Sequence, residues 1–467
     1  MTSICAADIA WGGPGHRVEP TFALTDLGNA EYFAFHFGDR LRFDHRRKRW
    51  CVWNAPTFRA DADASVMRFA CESIRQRQSD ALGIENHASR AQAMRWALKS
   101  ENRDRLTALL ALAQSCPPIA DAGDAWDADP LLLACQNGVV ELARGTLRAG
   151  HPRDRLTLRC GVPFDPDARA PRFERFLSEI FDGDHARVEW LQRAIGYTLT
   201  GISAEQVWFL MHGTGANGKG TLTRVLVRVF GDYAYNLPFS TFEARPSGIP
   251  NDLAALAGRR FVTAGETNDG TRLNEARIKS LTGEDDVTAR FLHGEFFSFR
   301  PVSKLWLSVN HRPVVRDLSP GFWRRLRELP FDRSFGIDRT LDPELEAEAP
   351  GVLAWAVRGC LRWQAEGLGN LPEAVANAVA DYRAESDILA DFLAARCVCM
   401  AGVAARASHL FDGYVRWTER ANVPRDERLS QTAFGRALTE RGYEKTKGAH
   451  GTTYHGIGLK PDTEAAA

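Results

Sequence analysis

The sequence predicts an α/β protein whose middle third contains a parallel sheet, with an α+β region before it and a helical region after it. One observation is a run of β-forming residues, "QVWFLMHG", followed by a glycine-rich turn and then by "TLTRVLVRVFGD", which places its apolar residues on one helical face. Another is a pair of further apolar segments, Arg260 to Ala264 and Lys304 to Val309. Strands that alternate with helices in this way build parallel sheets.

The composition is that of an ordinary globular protein. The chain has 467 residues, of which 44% are hydrophobic and 25% charged, and this length is enough for two or three domains. Because it contains neither a long uncharged apolar run nor the start of a secretion signal, we expect no membrane association and a cytoplasmic location. The heavy use of Ala and Arg favours a bacterial host with a GC-rich genome. Its nine cysteines are scattered, without a CxxC pair, which indicates neither a zinc ribbon nor a disulfide framework.

Charge is unevenly distributed although the net charge is zero. The segment 290–327 contains eight Lys or Arg residues and two acidic residues, and the segment 402–460 contains ten and six. Local basic excess of this kind is typical of surfaces that contact nucleic acid. The two segments are therefore the first places to look for such contacts.

The glycine-rich turn, "HGTGANGKGTL", has nearly the spacing of a phosphate-binding loop. Four residues separate Gly213 from the Gly218-Lys219 pair, and Gly220 stands where Ser or Thr is expected. Backbone N–H groups at a helix N-terminus bind phosphate, and a lysine adds a positive charge. The sequence therefore predicts an ATP site, with a ligand-free glycine-rich turn as the alternative, formed by Gly213, Gly215, Asn217, Gly218, Lys219, Gly220 and Thr221.

Hydrolysis of ATP also requires a metal ligand and a group that positions water. Glu266 follows the predicted strand from Arg260 to Ala264, and we expect it to serve both purposes, unless it is a surface residue at a strand end. Thr221 is expected to replace the missing hydroxyl as the second Mg²⁺ ligand, or a water fills that place. Asn310 follows the next strand and is predicted to polarise water near the outermost phosphate, or else to be a turn residue before Pro313.

Two adjacent arginines, Arg324 and Arg325, lie in "GFWRRLRELPF" at the edge of the next apolar strand. From this edge an arginine can reach a nucleotide bound to a neighbouring subunit, and such an arginine finger raises rates by ~10³–10⁵. A salt bridge within the same subunit is the alternative for either residue. We expect one finger, and the sequence does not choose between them.

In order along the chain, "GTGANGKGTL", "FVTAGETNDGTRLNEARIKSLTGEDDVTARFLHGEFFSFRP", "KLWLSVNHRP" and "GFWRRLRELPF" resemble the superfamily 3 helicases of the phage, plasmid and poxvirus primase-helicase family. "WLQRAIGYTLTG" upstream and "DYRAESDILADFL" downstream extend the resemblance. It implies an AAA+-like P-loop ATPase core, a homo-hexameric ring with ATP and Mg²⁺ between subunits, and movement along single-stranded or forked DNA. By the same resemblance Lys219 holds phosphate, Glu266 acts on metal and water, Asn310 senses the outermost phosphate, and Arg324 or Arg325 is the finger.

The primase of that family is not expected in this chain, because only about 20 residues precede the adaptor region. We therefore expect a separate primase or polymerase as a partner, or loading at an origin without one.

The segment "DVTARFLHGEFFSFRP" alternates as two short strands around His293-Gly294 and predicts a hairpin. In the resembled family such a hairpin enters the central channel and contacts DNA. The predicted contacts are Lys279, Arg290 and His293. The phenylalanines of the hairpin are expected in the hydrophobic core, with stacking of Phe291 on a DNA base as the alternative.

The C-terminal segment predicts a winged helix: a helix, a polar turn, a second helix and two short strands. Its predicted DNA contacts are Arg436 on the second helix and Lys445 and Lys447 on the wing. A module that docks another protein is the alternative.

These observations predict an N-terminal adaptor over residues 22–200, an ATPase core over 201–342, a helical bundle over 343–395, a winged-helix-like domain over 396–460 and a disordered tail over 461–467. The function predicted first is that of an ATP-dependent replicative DNA helicase of a phage or mobile element. The alternative is an ATP-regulated, origin-binding initiator or regulator that does not unwind DNA. A small-molecule kinase is not supported, because the arginine-bearing segment and the winged helix would have no role in it.

Overall fold

The computed structural model describes residues 21–244, 251–265, 270–290, 296–425, 428–448 and 451–461. The helices are α1 Asp26–Phe37, α2 Ser65–Leu82, α3 His87–Ser100, α4 Arg103–Ala113, α5 Pro171–Ile180, α6 His185–Thr198, α7 Lys219–Phe230, α8 Asn251–Ala254, α9 Glu275–Thr282, α10 Pro320–Trp323, α11 Leu341–Ala347, α12 Ala349–Glu366, α13 Glu373–Glu385, α14 Ile388–Arg396, α15 Ala407–Arg420 and α16 Gln431–Glu440.

The strands form several sheets along the chain. They are β1 Leu41–Asp44, β2 Arg49–Asn54, β3 Thr57–Ala60, β4 Ala120–Asp121, β5 Leu132–Cys135, β6 Gly138–Glu141, β7 Thr146–Arg148, β8 Trp208–His212, β9 Ala234–Asn236, β10 Phe261–Gly265, β11 Val287–Ala289, β12 Phe297–Phe299, β13 Lys304–Val309, β14 Leu326–Pro330, β15 Cys397–Val398, β16 Ala404–Arg406, β17 Lys445–Gly448, β18 Gly451–His455 and β19 Gly458–Leu459.

The N-terminal region combines helices with a small sheet in the order β3-β2-β1-β4. Helix α1 begins after Thr25, whose hydroxyl accepts a hydrogen bond from the Gly28 N–H at 3.0 Å, and this cap satisfies one of the free N–H groups of the first turn. The helix ends at Phe37, and β1 and β2 pair antiparallel as a hairpin. These elements bury one hydrophobic core with α2 and α4.

The rest of the predicted adaptor packs elsewhere. Strands β5 and β6 and helices α5 and α6 contribute to a second, larger core, which also contains one face of the central sheet and most of the buried residues of α12. The region 22–200 is therefore divided between two hydrophobic cores, and its second part is continuous with the central sheet.

The central sheet has the order β14-β8-β13-β10-β9, and all its strands are parallel. Successive residues of β8 face different cores: Phe209 and Met211 pack in the larger core, whereas Trp208 and Leu210 pack in a core on the other face. A parallel sheet covered on both faces produces the continuous apolar run that the sequence shows. Because the strands are parallel, their carboxyl ends meet at one edge.

The helices that follow the sheet contribute residues to three different hydrophobic cores. Helix α12 packs along α6, Tyr382 of α13 packs under the opposite face of the sheet, and Phe392 of α14 packs with the C-terminal helices α15 and α16. In the C-terminal region β16, β18 and β17 form an antiparallel sheet beside α15. In the part of the chain that the structure describes, no helix has the length and hydropathy of a membrane span.

One buried charge network joins the sheet to α13. Glu328 on β14 is completely buried, and its Oε1 accepts hydrogen bonds at 2.9 Å from Nε of Arg312, which also contacts Glu385 of α13 at 2.6 Å. His212 at the end of β8 lies 3.2 Å from the same Glu328 oxygen. A buried carboxylate that loses its partner is strongly destabilising.

Replacing Arg312 by methionine is therefore expected to lower the free energy of unfolding by about 3–5 kcal/mol. The matched control is Arg228→Met, because Arg228 pairs at 3.4 Å with Glu346 while both side chains are more than half exposed. Such a pair contributes about 0–1 kcal/mol. Urea-unfolding midpoints of the two variants measure the difference, and equal small shifts would contradict the importance of the buried pair.

Candidate functional site

The glycine-rich turn connects β8 to α7 at the carboxyl edge of the sheet. Gly218 caps α7 with a φ of 91°, and a Cβ atom at this position would lie 2.7 Å from Cγ2 of Ile180 on α5. Glycine is therefore required both by the backbone conformation and by the close approach of α5. No side chain caps the helix, so the N–H groups of its first turn have no intrahelical acceptor and are available to an anion.

Lys219 is the first residue of α7 and is 5% exposed. Its Nζ donates hydrogen bonds to Gly213 O at 2.6 Å, to Asn217 Oδ1 at 3.1 Å and to Asn310 Oδ1 at 3.3 Å. All three acceptors are neutral, and burial lowers the pKa of Lys219 to about 8. A desolvated cation without a carboxylate partner is well suited to bind a phosphate.

Asn217 and Asn310 lie in this cluster for different reasons. Asn217 is 3% exposed, and its Nδ2 donates to Phe331 O at 3.2 Å, so the loop is fastened to the segment that leaves β14. Asn310 directly follows β13, whose last residue, Val309, is paired with His212 of β8. The structure thus brings Asn310, which follows a different strand, into contact with Lys219 of the glycine-rich turn.

An open cavity of about 640 Å³ lies at this edge. Its lining residues from the predicted set are Gly215, Asn217, Gly218, Lys219, Gly220, Thr221 and Asn310. Gly213 is buried behind the loop, where a Cβ atom would lie 2.3 Å from Phe331 O. The volume is in the range of small-molecule sites.

The metal ligands predicted from the sequence are Thr221 and Glu266. The Thr221 hydroxyl lines the cavity and accepts a hydrogen bond at 3.0 Å from Arg224, which pairs with Asp342 at 2.8 Å. Glu266 lies outside the described residues; the residue before it, Gly265, ends β10 and is paired with Ser308 of β13.

The cavity fits a magnesium ion that is coordinated mainly by the phosphate oxygens of a bound molecule and only partly by the protein. Mg²⁺ in phosphate sites takes one or two protein ligands and completes its shell with phosphate oxygens and water. Within the described ranges, no three His, Cys, Asp or Glu side chains are grouped as a metal site. A Cβ atom at Gly220 would have only one near neighbour, the flexible end of the Arg224 side chain at 3.3 Å. No close packing therefore requires glycine at this position.

Arg324 and Arg325 lie at the opposite end of the sheet from the glycine-rich turn. They precede β14, whose first residue, Leu326, is paired with Trp208 at the start of β8. Their guanidinium groups share one acceptor, Gln206 Oε1, at 2.9 and 3.3 Å. Neither arginine therefore reaches the cavity of its own chain.

The predicted hairpin contacts are only partly described. Strands β11 and β12 are paired antiparallel, and His293 lies outside the described residues. Arg290 lies over the ring of Phe296, 4.7 Å from its centroid, and Phe296 is 62% exposed. Lys279 on α9 is held by Asp317 at 2.7 Å, so a contact with DNA would require this pair to open.

The C-terminal basic residues lie on exposed surfaces. Arg436 is on the exposed side of α16, and Lys445 and Lys447 are exposed on β17 at the edge of the small sheet. Thr446 lies between the two lysines, and its hydroxyl contacts His455 of β18 at 2.9 Å. These three cations have no ion pair with any described side chain.

Sequence reasoning missed the walls of the cavity beyond the turn. They come from α5 and from the segment after β14, and include Arg172, Phe176, Ile180, Phe335 and Ile337. No motif marks these residues, because they approach the turn only in the folded chain. The sequence signal closest to them is the pair of apolar residues, Phe335 and Ile337, within an otherwise polar segment.

Two family models match parts of the chain. The family described as "D5 N terminal like" matches residues 30–182, and the "Family of unknown function (DUF5906)" matches residues 211–325. "Putative helicase L207/L206" of Acanthamoeba polyphaga mimivirus is 25% identical over 294 residues, which are 57% of this chain and 30% of that protein. "Putative helicase 022R" of Frog virus 3 is 27% identical over 292 residues, covering 47% of this chain and 30% of that protein.

A third relative carries a different name. "Putative primase C962R" of African swine fever virus (isolate Warthog/Namibia/Wart80/1980) is 30% identical over 213 residues, which are 43% of this chain and 22% of that protein. The chain thus spans less than a third of the length of these relatives. Among solved structures, the apo structure of the NrS-1 C-terminal region (305–718) has a TM-score of 0.50 and 10% identity, and covers 92% of this chain and 99% of that one.

The fold and the site define a mixed α/β protein with a glycine-rich loop and a buried lysine at the carboxyl edge of a parallel sheet. The two family matches and the viral relatives confirm the resemblance seen in the sequence. The D5 N-terminal-like and DUF5906 matches, together with viral relatives named putative helicases and putative primase, fit the superfamily 3 primase-helicase family.

Proposed function

We propose that this protein is an ATP-dependent replicative DNA helicase of a phage or mobile element, acting as a hexameric ring on single-stranded DNA. The observation that carries the proposal is the position of Lys219. Its Nζ lies between Gly213 O and Asn310 Oδ1, at 2.6 and 3.3 Å, beside a cavity at the carboxyl edge of the sheet. This is the arrangement that binds the phosphates of a nucleoside triphosphate in P-loop proteins.

The residues of the site have different roles in the proposed reaction. The N–H groups at the start of α7 and the Lys219 cation hold the phosphates, and Asn310 directs its amide toward the attacking water. Thr221 and Glu266 would hold Mg²⁺, which neutralises charge that develops on the phosphate oxygens. Because Lys219 and Asn310 are in contact in this structure, phosphate binding at Lys219 would alter the position of Asn310.

DNA contact is proposed at two places. The first is the β11–β12 hairpin with Arg290, His293 and neighbouring Lys279, in a central channel. The second is the exposed basic surface of Arg436, Lys445 and Lys447. We place the protein in the cytoplasm of a bacterial host, with a primase or polymerase as a separate partner.

The exposed C-terminal cations also favour the alternative, an ATP-regulated origin-binding protein without unwinding activity. A surface that binds duplex DNA tightly would explain these residues without any motor. The two functions differ in whether ATP hydrolysis separates the strands of a forked duplex.

The test measures ATP hydrolysis with and without single-stranded DNA, together with unwinding of a forked duplex and of a blunt duplex. We expect hydrolysis to rise with single strands and only the fork to be unwound. Binding of single strands should weaken with salt, with log K falling by roughly 0.7 per neutralised phosphate for each tenfold increase in salt. Hydrolysis that is indifferent to single strands, with no unwinding of the fork, would exclude the helicase and leave the regulator.

A further inference from the structure

The cavity beside Lys219 extends well beyond the phosphate-binding turn. The apolar part of its lining comes from two segments that the sequence analysis did not assign to the site: Phe176 and Ile180 on α5, and Phe335, Ile337 and Leu341 after β14. A phosphate group is charged and binds through hydrogen bonds and positive charge, not through apolar contacts. The apolar part of the cavity is therefore available to another portion of a ligand whose phosphates lie on the turn.

The segment after β14 is fastened to the turn by three hydrogen bonds. The Phe331 N–H donates to His212 O at 2.7 Å, Asn217 Nδ2 donates to Phe331 O at 3.2 Å, and the Phe335 N–H donates to Ala216 O at 2.7 Å. These bonds tie both ends of the stretch from Phe331 to Phe335 to the turn. The residues that follow are consequently held at the mouth of the cavity.

Two apolar side chains of this segment are exposed to solvent, which is unusual for apolar residues. Ile337 is 95% exposed and Phe335 is 37% exposed, whereas Phe176 and Ile180 are 3% and 2% exposed beneath the turn. Exposed apolar side chains at the mouth of a ligand cavity lose water when a flat apolar group covers them, which favours binding. The base of a nucleotide is such a group, and aromatic side chains stack on bases of any identity.

We propose that Phe335 and Ile337, together with the α5 wall, form the subsite for the base of the nucleoside triphosphate. The inference rests on the proposed ATP site and adds the residues that bind the nucleoside. Stacking and apolar contact read the flat surface of the base and not its edge. The subsite accordingly favours nucleoside triphosphates over bare polyphosphate, with little discrimination among purines.

The experiment compares two probes, ATP and inorganic tripolyphosphate, each with Mg²⁺, by calorimetric titration of the full chain. The variants are Phe335→Ala and Ile337→Ser, singly and together. Leu82→Ser is the matched control, because Leu82 is an exposed aliphatic residue, 65% accessible, on α2 and outside the cavity lining. Thermal midpoints confirm that each variant is folded.

We expect the double variant to bind ATP roughly tenfold more weakly, since one base-stacking contact contributes about this much. Tripolyphosphate should bind all forms within about twofold of each other, because its contacts with the turn are unchanged. A parallel loss for both probes would show that the segment only supports the turn, and unchanged ATP binding would place the base elsewhere; either result overturns the subsite alone. If the unaltered chain binds neither probe, the proposed function fails as well.

Discussion

Replacing Lys219 by alanine is expected to reduce ATP hydrolysis by at least about 10²-fold, the usual cost of removing one preorganised charge that stabilises a transition state. The Nζ group is the only cation that the structure places in contact with both Gly213 O of the turn and Asn310, among the residues it describes. Without it, the outer phosphates lose their positive partner at the buried base of the cavity, where Lys219 is 5% exposed. Hydrolysis under saturating ATP measures the effect.

The fold should survive this change. The hydrogen-bond acceptors of Lys219 are neutral, so its removal leaves no buried carboxylate without a partner. Lys99→Ala, at an exposed position on α3, serves as the control for loss of a positive charge. An alanine variant that keeps its thermal midpoint and also hydrolyses ATP within about threefold of the unaltered chain would contradict the role of Lys219.

The secondary structure around the candidate site could be predicted from the sequence, because the features that build it are local. A strand, a glycine-rich turn and an amphipathic helix are adjacent in the chain, and β13 has the bounds predicted for it, Lys304–Val309. The strand predicted from Arg260 begins instead at Phe261. Arg260 lies at its start, 2% exposed, and donates hydrogen bonds to Leu199 O and Leu132 O, which are far away in sequence.

Long-range contacts explain what the sequence did not predict. The α5 wall precedes the turn by about 40 residues, and the Phe335 segment follows it by more than 100. The Phe335 segment lies over the turn only because β14 pairs in parallel with β8, so that the chain leaves β14 beside the turn. For the same reason, the helical bundle predicted over 343–395 did not include the packing of its helices: α12 lies in one core, whereas α13 contributes Val375 to that core and Tyr382 to the core on the other face of the sheet.

The arginine pair illustrates how burial can distinguish adjacent residues of one type. Arg325 donates to Gly321 O within α10, and desolvation lowers its pKa. Arg324 is exposed, and its one hydrogen bond to a described side chain is with Gln206 at 2.9 Å. We therefore expect Arg325 to support α10 and Arg324 to be the finger.

Arg324→Ala is consequently expected to reduce ATP hydrolysis by about 10³-fold or more, with unchanged ATP affinity in the isolated chain. Because Arg324 lies at the opposite end of the sheet from Lys219, its effect requires a second copy of the protein. Arg325→Ala should instead lower the thermal midpoint, and at temperatures well below that midpoint it should retain most of the hydrolysis.

Mixing the two inactive variants, Lys219→Ala and Arg324→Ala, tests the arrangement between subunits. In a ring with head-to-tail interfaces, an Arg324→Ala subunit supplies an intact lysine and its neighbour an intact arginine, so roughly a quarter of the interfaces in a random equal mixture are complete. Hydrolysis should therefore recover in the mixture, while each variant at the same total concentration stays inactive. If the mixture remains as inactive as its components, the finger does not act between subunits, and the proposal that ATP is hydrolysed at a subunit interface has to be abandoned.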